Sequence, residues 1–293
     1  MLFRSVSQSR YVQNYQTAES KAFKGRYHKA LNSILYAVEQ VRQANRDSRV
    51  SPYRALWLWG EHGSGKSFLV EQIATMLGLP FYAESLNNQS TMSQIVGTVN
   101  PMTEVFRSSL TTRAYSEGGL MVYEEAASAG GQVWTQLGAC LAGRQWFHTN
   151  FGSLQKHPDF VPIFVDNTSG RGPTPAYPTR NRMDESTMSR CAVIHVGYDD
   201  VLDRELALEL NPHAGVWIDW VMSVRKWIAD ENNAIKSAVY IDPRDLHCLV
   251  YDLARQPQSG SIGEILDRFI WKELSKDLRE RILTACPLPQ GRY

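Results

Sequence analysis

Eight consecutive residues, Gly60, Glu61, His62, Gly63, Ser64, Gly65, Lys66 and Ser67, spell G-x-x-x-x-G-K-S. This spacing suits the grip of a nucleotide's phosphates. The glycines allow a tight turn whose successive N–H groups surround one phosphate. A helix that starts there directs its positive end at the same anion. Lys66 then reaches the terminal phosphates of ATP, and the Ser67 hydroxyl is placed to ligate Mg2+. The nucleotide-contacting set is read as these eight residues plus Phe68, with His62 taken as a tolerated loop position and not a catalytic one. The competing reading is a glycine-rich loop with a chance lysine. A strand-like apolar run before the loop and an apolar-periodic helix after it weigh against that reading.

Hydrolysis of a triphosphate needs acids near the metal and the attacking water. The segment Gly118–Glu125, GGLMVYEE, is an apolar strand that delivers two of them at its carboxyl end. Glu124 is expected to orient Mg2+ or its water ligands, and Glu125 to polarise water as general base. The alternative is that both acids open a solvated helix. The segment has the general form of a Walker B motif with one departure: Glu124 stands where Asp is usual. The longer side chain shifts the metal geometry, which bears on the rate of hydrolysis more than on binding.

The elements that must carry these residues follow from hydrophobic period. Residues 18–46 read as a helix, with Ala30, Leu31, Ile34, Leu35, Val38 and Val41 in steps of three or four. Ala55–Trp59 is a short unbroken apolar run of the kind found in buried parallel strands. The loop follows, then a helical pattern through Leu77. Further strand-like runs lie at Pro80–Ala83, Leu120–Tyr123, Val161–Val165 and Ala192–Val196. Such alternation predicts a three-layer α/β domain with a mainly parallel sheet. Beyond residue 200 helical patterns dominate, at Val216–Asp230, Pro243–Ala254 and Ile262–Ala285. The expected organisation is a mostly helical N-terminal extension over 1–50, loose over 1–17, an α/β nucleotide-binding domain over 51–199, and a small all-helical lid over 200–293. Gly130–Phe147, with Trp134, Leu137, Leu141 and Trp146, reads as an amphipathic helix leading to a turn at Gly143, its aromatics belonging to the core or a subunit interface and not to a ligand box. Trp217, Trp220 and Trp227 stand at helical spacing, which packing explains.

With these elements in order, the chain resembles the P-loop NTPases of the AAA+ superfamily over roughly residues 50 to 255. It looks most like the branch that holds MoxR proteins, the small subunit of cobaltochelatase, and dynein-related and McrB-like ATPases. Phe160–Gly172, FVPIFVDNTSGRG, is similar to the sensor 1 region of that branch, which implies that Asn167 contacts the γ-phosphate or attacking water. The alternative for Asn167 is a turn opener before Gly170. Asp184 and Arg190 stand where the branch places an acid and its arginine finger, with Cys191 replacing the usual aromatic residue. The resemblance implies that Arg190 completes the site of a neighbouring subunit, with Arg180 and Arg182 as rivals and a surface ion pair as the alternative. Asp242-Pro243-Arg244 looks like a sensor 2 segment, in which Asp242 caps a helix, Pro243 opens it and Arg244 reaches the nucleotide. Glu84–Val99 resembles the variable segment where pore or insert elements occur.

The resemblance further implies a homo-oligomer, a hexameric ring, that hydrolyses ATP to remodel a protein client. A separate chain carrying a von Willebrand factor A domain is a partner such relatives use. Two other functions fit the same engine: a nucleic-acid motor or loader, and a slow-turnover assembly switch. A formal charge of +1 does not favour nucleic acid. Cys140, Cys191, Cys248 and Cys286 are widely spaced, which argues against a disulfide framework or a zinc site. The first residues lack the apolar core of a signal peptide. No apolar run approaches the roughly 20 residues of a membrane span, so no membrane is expected and the cytoplasm, or a host cell's interior, is the expected location.

Overall fold

Five apolar runs of the sequence become one parallel sheet. The computed structural model describes residues 27–47, 52–143, 145–148, 152–235, 241–272 and 274–289. Helix α1 (Leu31–Arg46) precedes strand β1 (Ala55–Trp59), helix α2 (Lys66–Leu77) and strand β2 (Phe81–Ser85). Next come α3 (Met92–Val96), a hairpin of β3 (Thr98–Val99) and β4 (Phe106–Arg107), α4 (Leu110–Glu117) and β5 (Gly119–Glu124). Helix α5 (Gly131–Ala142), a hairpin of β6 (Gln145–His148) and β7 (Gly152–Gln155), β8 (Phe160–Asp166), α6 (Glu185–Met188) and β9 (Cys191–His195) complete this part.

The strand order is β2–β5–β8–β1–β9, with every neighbouring pair parallel. Strands β1 and β8 are apolar without alternation because both sheet faces are covered. On one face Leu56 and Leu58 pack with Leu69, Val70 and Ile73 of α2 and with Ile34, Val38 and Val41 of α1. On the other, Ala55 and Trp57 pack with Tyr123, Trp134 and Phe164. The order also sets the site. Trp59 lies opposite Asp166, and Glu124 opposite Val165. Gly60, Glu125 and Asn167 are therefore the first residues beyond three adjacent strand ends.

Besides the helix read over Gly130–Phe147, which ends at Ala142 and leaves Trp146 on β6, two helices differ from their expected extents. The first begins at Leu31, not within 18–30 as far as the chain is described; residues 27–30 form a turn, and 1–26 lie outside the described residues. The turn has a local cause. Nδ1 of His28 accepts from the Ala30 N–H, while its Nε2 bonds the Gly197 carbonyl at 3.0 Å, and such side-chain bonds compete with helix. Helix α1 is also a layer of the α/β core, since its apolar stripe packs on the sheet.

The second difference lies in the lid. Its elements are α7 (Asp200–Leu210), α8 (Gly215–Ile235), α9 (Pro243–Leu253), α10 (Ile262–Phe269) and α11 (Lys276–Ala285). The single helix expected over 262–285 is broken because Ser275 caps α11 by accepting from Leu278 N–H and Trp271 turns inward against Trp220 at 5.8 Å. The lid has its own core, built on Trp217, Ile218, Val221, Leu246, Leu249 and Ile265. Among the described residues no helix is long and apolar enough to cross a membrane.

Candidate active site

The turn from β1 into α2 takes its shape from glycine. Gly65 caps α2 with φ +78°, in the left-handed region. A Cβ at Gly60 would lie 2.1 Å from the Val196 carbonyl oxygen, so a side chain there would force β9 away. Lys66 folds back into this turn and is buried. Its Nζ donates to the carbonyls of Gly60 (2.9 Å) and Glu61 (2.8 Å), to Ser64 Oγ (3.2 Å) and to Asn167 Oδ1 (3.5 Å). Burial lowers its pKa to about 8, against the opposing pull of Glu61 and Asp166.

The next residue, Ser67, meets the acidic strand end. Its hydroxyl donates to Glu124 Oε1 at 2.5 Å. Two hard oxygens, from a hydroxyl and a carboxylate, form a donor set that suits Mg2+, which is commonly held by one or two protein oxygens together with water and phosphate. Glu125 follows with φ +57°, an uncommon conformation for a residue with a side chain. The turn is held by Asp166, whose Oδ2 accepts from Ala127 N–H at 2.9 Å and whose Oδ1 accepts from the Thr168 N–H (2.9 Å) and hydroxyl (3.0 Å). Asp166 thereby ties the exit of β5 to the exit of β8. Burial raises its pKa, and these donors oppose the rise.

Residues 55–191 match the family model described as AAA domain (dynein-related subfamily). This segment is similar to AAA domains. It holds the loop, both acids, Asn167 and Arg190, and it agrees with the dynein-related part of the expected branch. Among solved structures, a protein from Cytophaga hutchinsonii presented as a candidate ATPase matches at 13% identity and a TM-score of 0.48, over 96% of this chain and 97% of that one. No curated protein is significantly similar in sequence.

The three arginines differ in where they sit on this segment. Arg180 turns inward: it donates to Glu125 Oε2 and to Ser128 Oγ (2.5 Å), with its Nε 3.4 Å from Asp166. In the single chain Arg180 is thus engaged with its own Glu125. Arg182 is exposed, on a short bridge to Arg171. Arg190 precedes β9, whose first residue Cys191 pairs with Ala55 at the amino edge of the sheet. One five-residue strand, about 16 Å, separates it from the edge that carries the loop.

Beyond this segment, the lid closes over the loop. Asp242 caps α9 by accepting from Asp245 N–H at 2.9 Å, with Pro243 in the first turn. Arg244 does not pair with Asp245, which bonds Lys272 at 2.5 Å. Its Nη1 lies 3.0 Å from His62 Nε2. His62 meets three further residues from the loop. Its N–H donates to Tyr177 Oη (3.2 Å), its carbonyl accepts from Tyr198 Oη (2.9 Å), and Asp242 Oδ2 stands 3.8 Å from its ring. Of the other loop residues, Glu61 lies 3.6 Å from His195 Nε2. Gly63, Ser64, Gly65 and Phe68 line a cavity of about 640 Å3 between α2, α7 and α9.

Sequence reasoning missed Asp166, Tyr177, Tyr198 and most of that cavity. Asp166 carries the signal that marked Glu124, an acid ending a buried strand. The tyrosines and the cavity walls come from loops and lid helices whose approach no local pattern records.

Proposed function

We propose that this chain is a Mg2+-dependent ATPase of the AAA+ type, of the MoxR and cobaltochelatase-like kind, which works as a homo-oligomeric ring and uses hydrolysis to remodel a protein partner. The observation that carries the reading is one bonded set at the sheet's carboxyl edge: Lys66 against the loop carbonyls and Asn167, and Ser67 against Glu124. The loop amides and Lys66 bind the triphosphate. Ser67 and Glu124 would hold the magnesium, which when bound supplies Lewis-acid polarisation of phosphate oxygens. Asn167 orients the attacking water and Glu125 accepts its proton as the bond to the γ-phosphorus breaks, giving ADP and phosphate. Such catalysis is positioning and charge neutralisation.

The ring rests on Arg190. Its place at the amino edge of the sheet, away from its own loop, supports a role at a neighbouring copy's nucleotide. A client, or a partner with a von Willebrand factor A domain, would read the lid movement that Arg244 couples to the nucleotide. The test is steady-state phosphate release with Mg-ATP from wild type and Glu125→Gln. Turnover that survives the substitution unchanged would sink the assignment.

A second reading, a slow-turnover assembly switch, is favoured by the bond from Arg180 to Glu125, which occupies the base. On that reading Arg180→Ala raises turnover; a fall in turnover removes it.

A further inference from the structure

The cavity beside the loop is larger than a phosphate grip requires. The loop residues Gly63, Ser64 and Gly65 form one end of its about 640 Å3, a size usual for small-molecule sites. With phosphates held at that end, as proposed above, a nucleoside would extend into the remainder, along α2 and under α9. Most polar side chains there are committed. Both ring nitrogens of His28 are bonded to backbone, and Tyr198 donates to the His62 carbonyl. Asp199 accepts from the N–H groups of Lys29 and Leu202, and Asp203 accepts from Arg225.

Two cavity-lining side chains keep unpartnered polar atoms. Gln72 is buried, at 8% exposure, and its Oε1 is sealed from solvent with no hydrogen-bond partner. Nε2 of His247 is likewise buried and unpartnered, while the ring bonds the Asp203 backbone. Buried polar atoms left unpaired are costly, and each asks for a partner. Six residues past Lys66, Gln72 lies about 9 Å along the helix from the phosphate end.

Resting on the nucleotide reading above, we infer that Gln72 is a specificity-determining residue that reads the edge of the nucleotide base and selects adenine. A carboxamide offers one acceptor beside one donor. Adenine presents the matching pair, an exocyclic amine beside a ring nitrogen, and glutamine meets it through two hydrogen bonds. Guanine's corresponding outer edge carries two acceptors, O6 and N7, and leaves the Gln72 carbonyl oxygen without a donor. His247 adds an acceptor that a nucleoside hydroxyl or amine fills.

The test measures magnesium-dependent binding of ATP, GTP and base-free tripolyphosphate to the full chain. Wild type is expected to favour ATP over GTP by about tenfold or more. Gln72→Met, similar in volume, should bring that ratio near one while tripolyphosphate affinity stays put, which also reports an intact fold. Gln72→Glu should weaken both nucleotides, since a carboxylate has no donor for the N7 acceptor that either purine presents at this edge. His247→Ala should weaken both nucleotides and leave tripolyphosphate unchanged. An ATP-to-GTP ratio that Gln72→Met does not alter overturns the inference and leaves the site standing. Loss of every ligand in wild type, or tripolyphosphate binding indifferent to Lys66→Ala, overturns the nucleotide reading and this inference with it.

Discussion

The Ser67 hydroxyl donates to Glu124 Oε1 at 2.5 Å across 57 positions of sequence. The contact joins the helix that begins at the phosphate loop to the end of the acidic strand. It exists because β8 alone separates β1 from β5, so the two strand exits share one edge. The longer Glu124, in place of the usual Asp, still reaches the serine. Ser67→Ala and Glu124→Gln should therefore each lower Mg-ATP hydrolysis by about a hundredfold or more, with nucleotide binding in EDTA changed far less. Equal losses in both assays would separate these residues from the metal.

Lys66 gives a pH dependence with a defined sign. Burial holds its pKa near 8, below the ordinary 10.5. Below that pH the ammonium is present and attracts phosphate; above it the charge is lost. ATP affinity of the free protein should fall as pH rises from about 8, by up to about tenfold per unit, and Lys66→Met should flatten the profile. Stability runs the other way. Between about 8 and 10.5 the unfolded chain binds more protons at this residue, so its contribution to stability rises with pH. Calorimetric titration with ATP and urea unfolding across pH 7 to 10, each against Lys66→Met, check both signs.

Asp166 is a brace. Removing its carboxylate leaves the Ala127 and Thr168 N–H groups and the Thr168 hydroxyl without their acceptor, all in buried surroundings. Unpaired buried donors cost about 1–3 kcal/mol each before relaxation. Asp166→Ala should lose about 3 kcal/mol or more in urea unfolding, and hydrolysis should fall because the Glu125 turn loosens. A stable Asp166→Ala protein would show that Thr168 and Ala127 find other partners.

The trans role proposed for Arg190 predicts complementation. Arg190→Ala and Glu125→Gln proteins should each be inactive alone. Mixed before assembly, they should regain part of the wild-type rate, because some interfaces then pair an intact Glu125 with an intact Arg190. No recovery in subunit mixtures shown to exchange would place the arginine outside the reaction.

The local sequence determined the five strands, the loop and its helix, and the acidic strand end, because each is written in residues next to one another. β1 reads Ala55–Trp59 in both views, and α2 runs to Leu77 with Gly78 as its left-handed cap. The spacing G-x-x-x-x-G-K-S names a phosphate grip since backbone conformation and helix start are local properties. Tertiary structure alone decided what faces the grip. Three arginines within eleven residues look interchangeable in sequence, yet Arg180 turns in to Glu125 while Arg190 stands at the opposite sheet edge. Asp166, His62, Gln72 and His247 acquire their surroundings only when β8 sits between two strands and α9 swings over α2. Hydrogen bonds and burial between distant segments depend on strand order and helix approach, and neither is encoded in the period of any one segment.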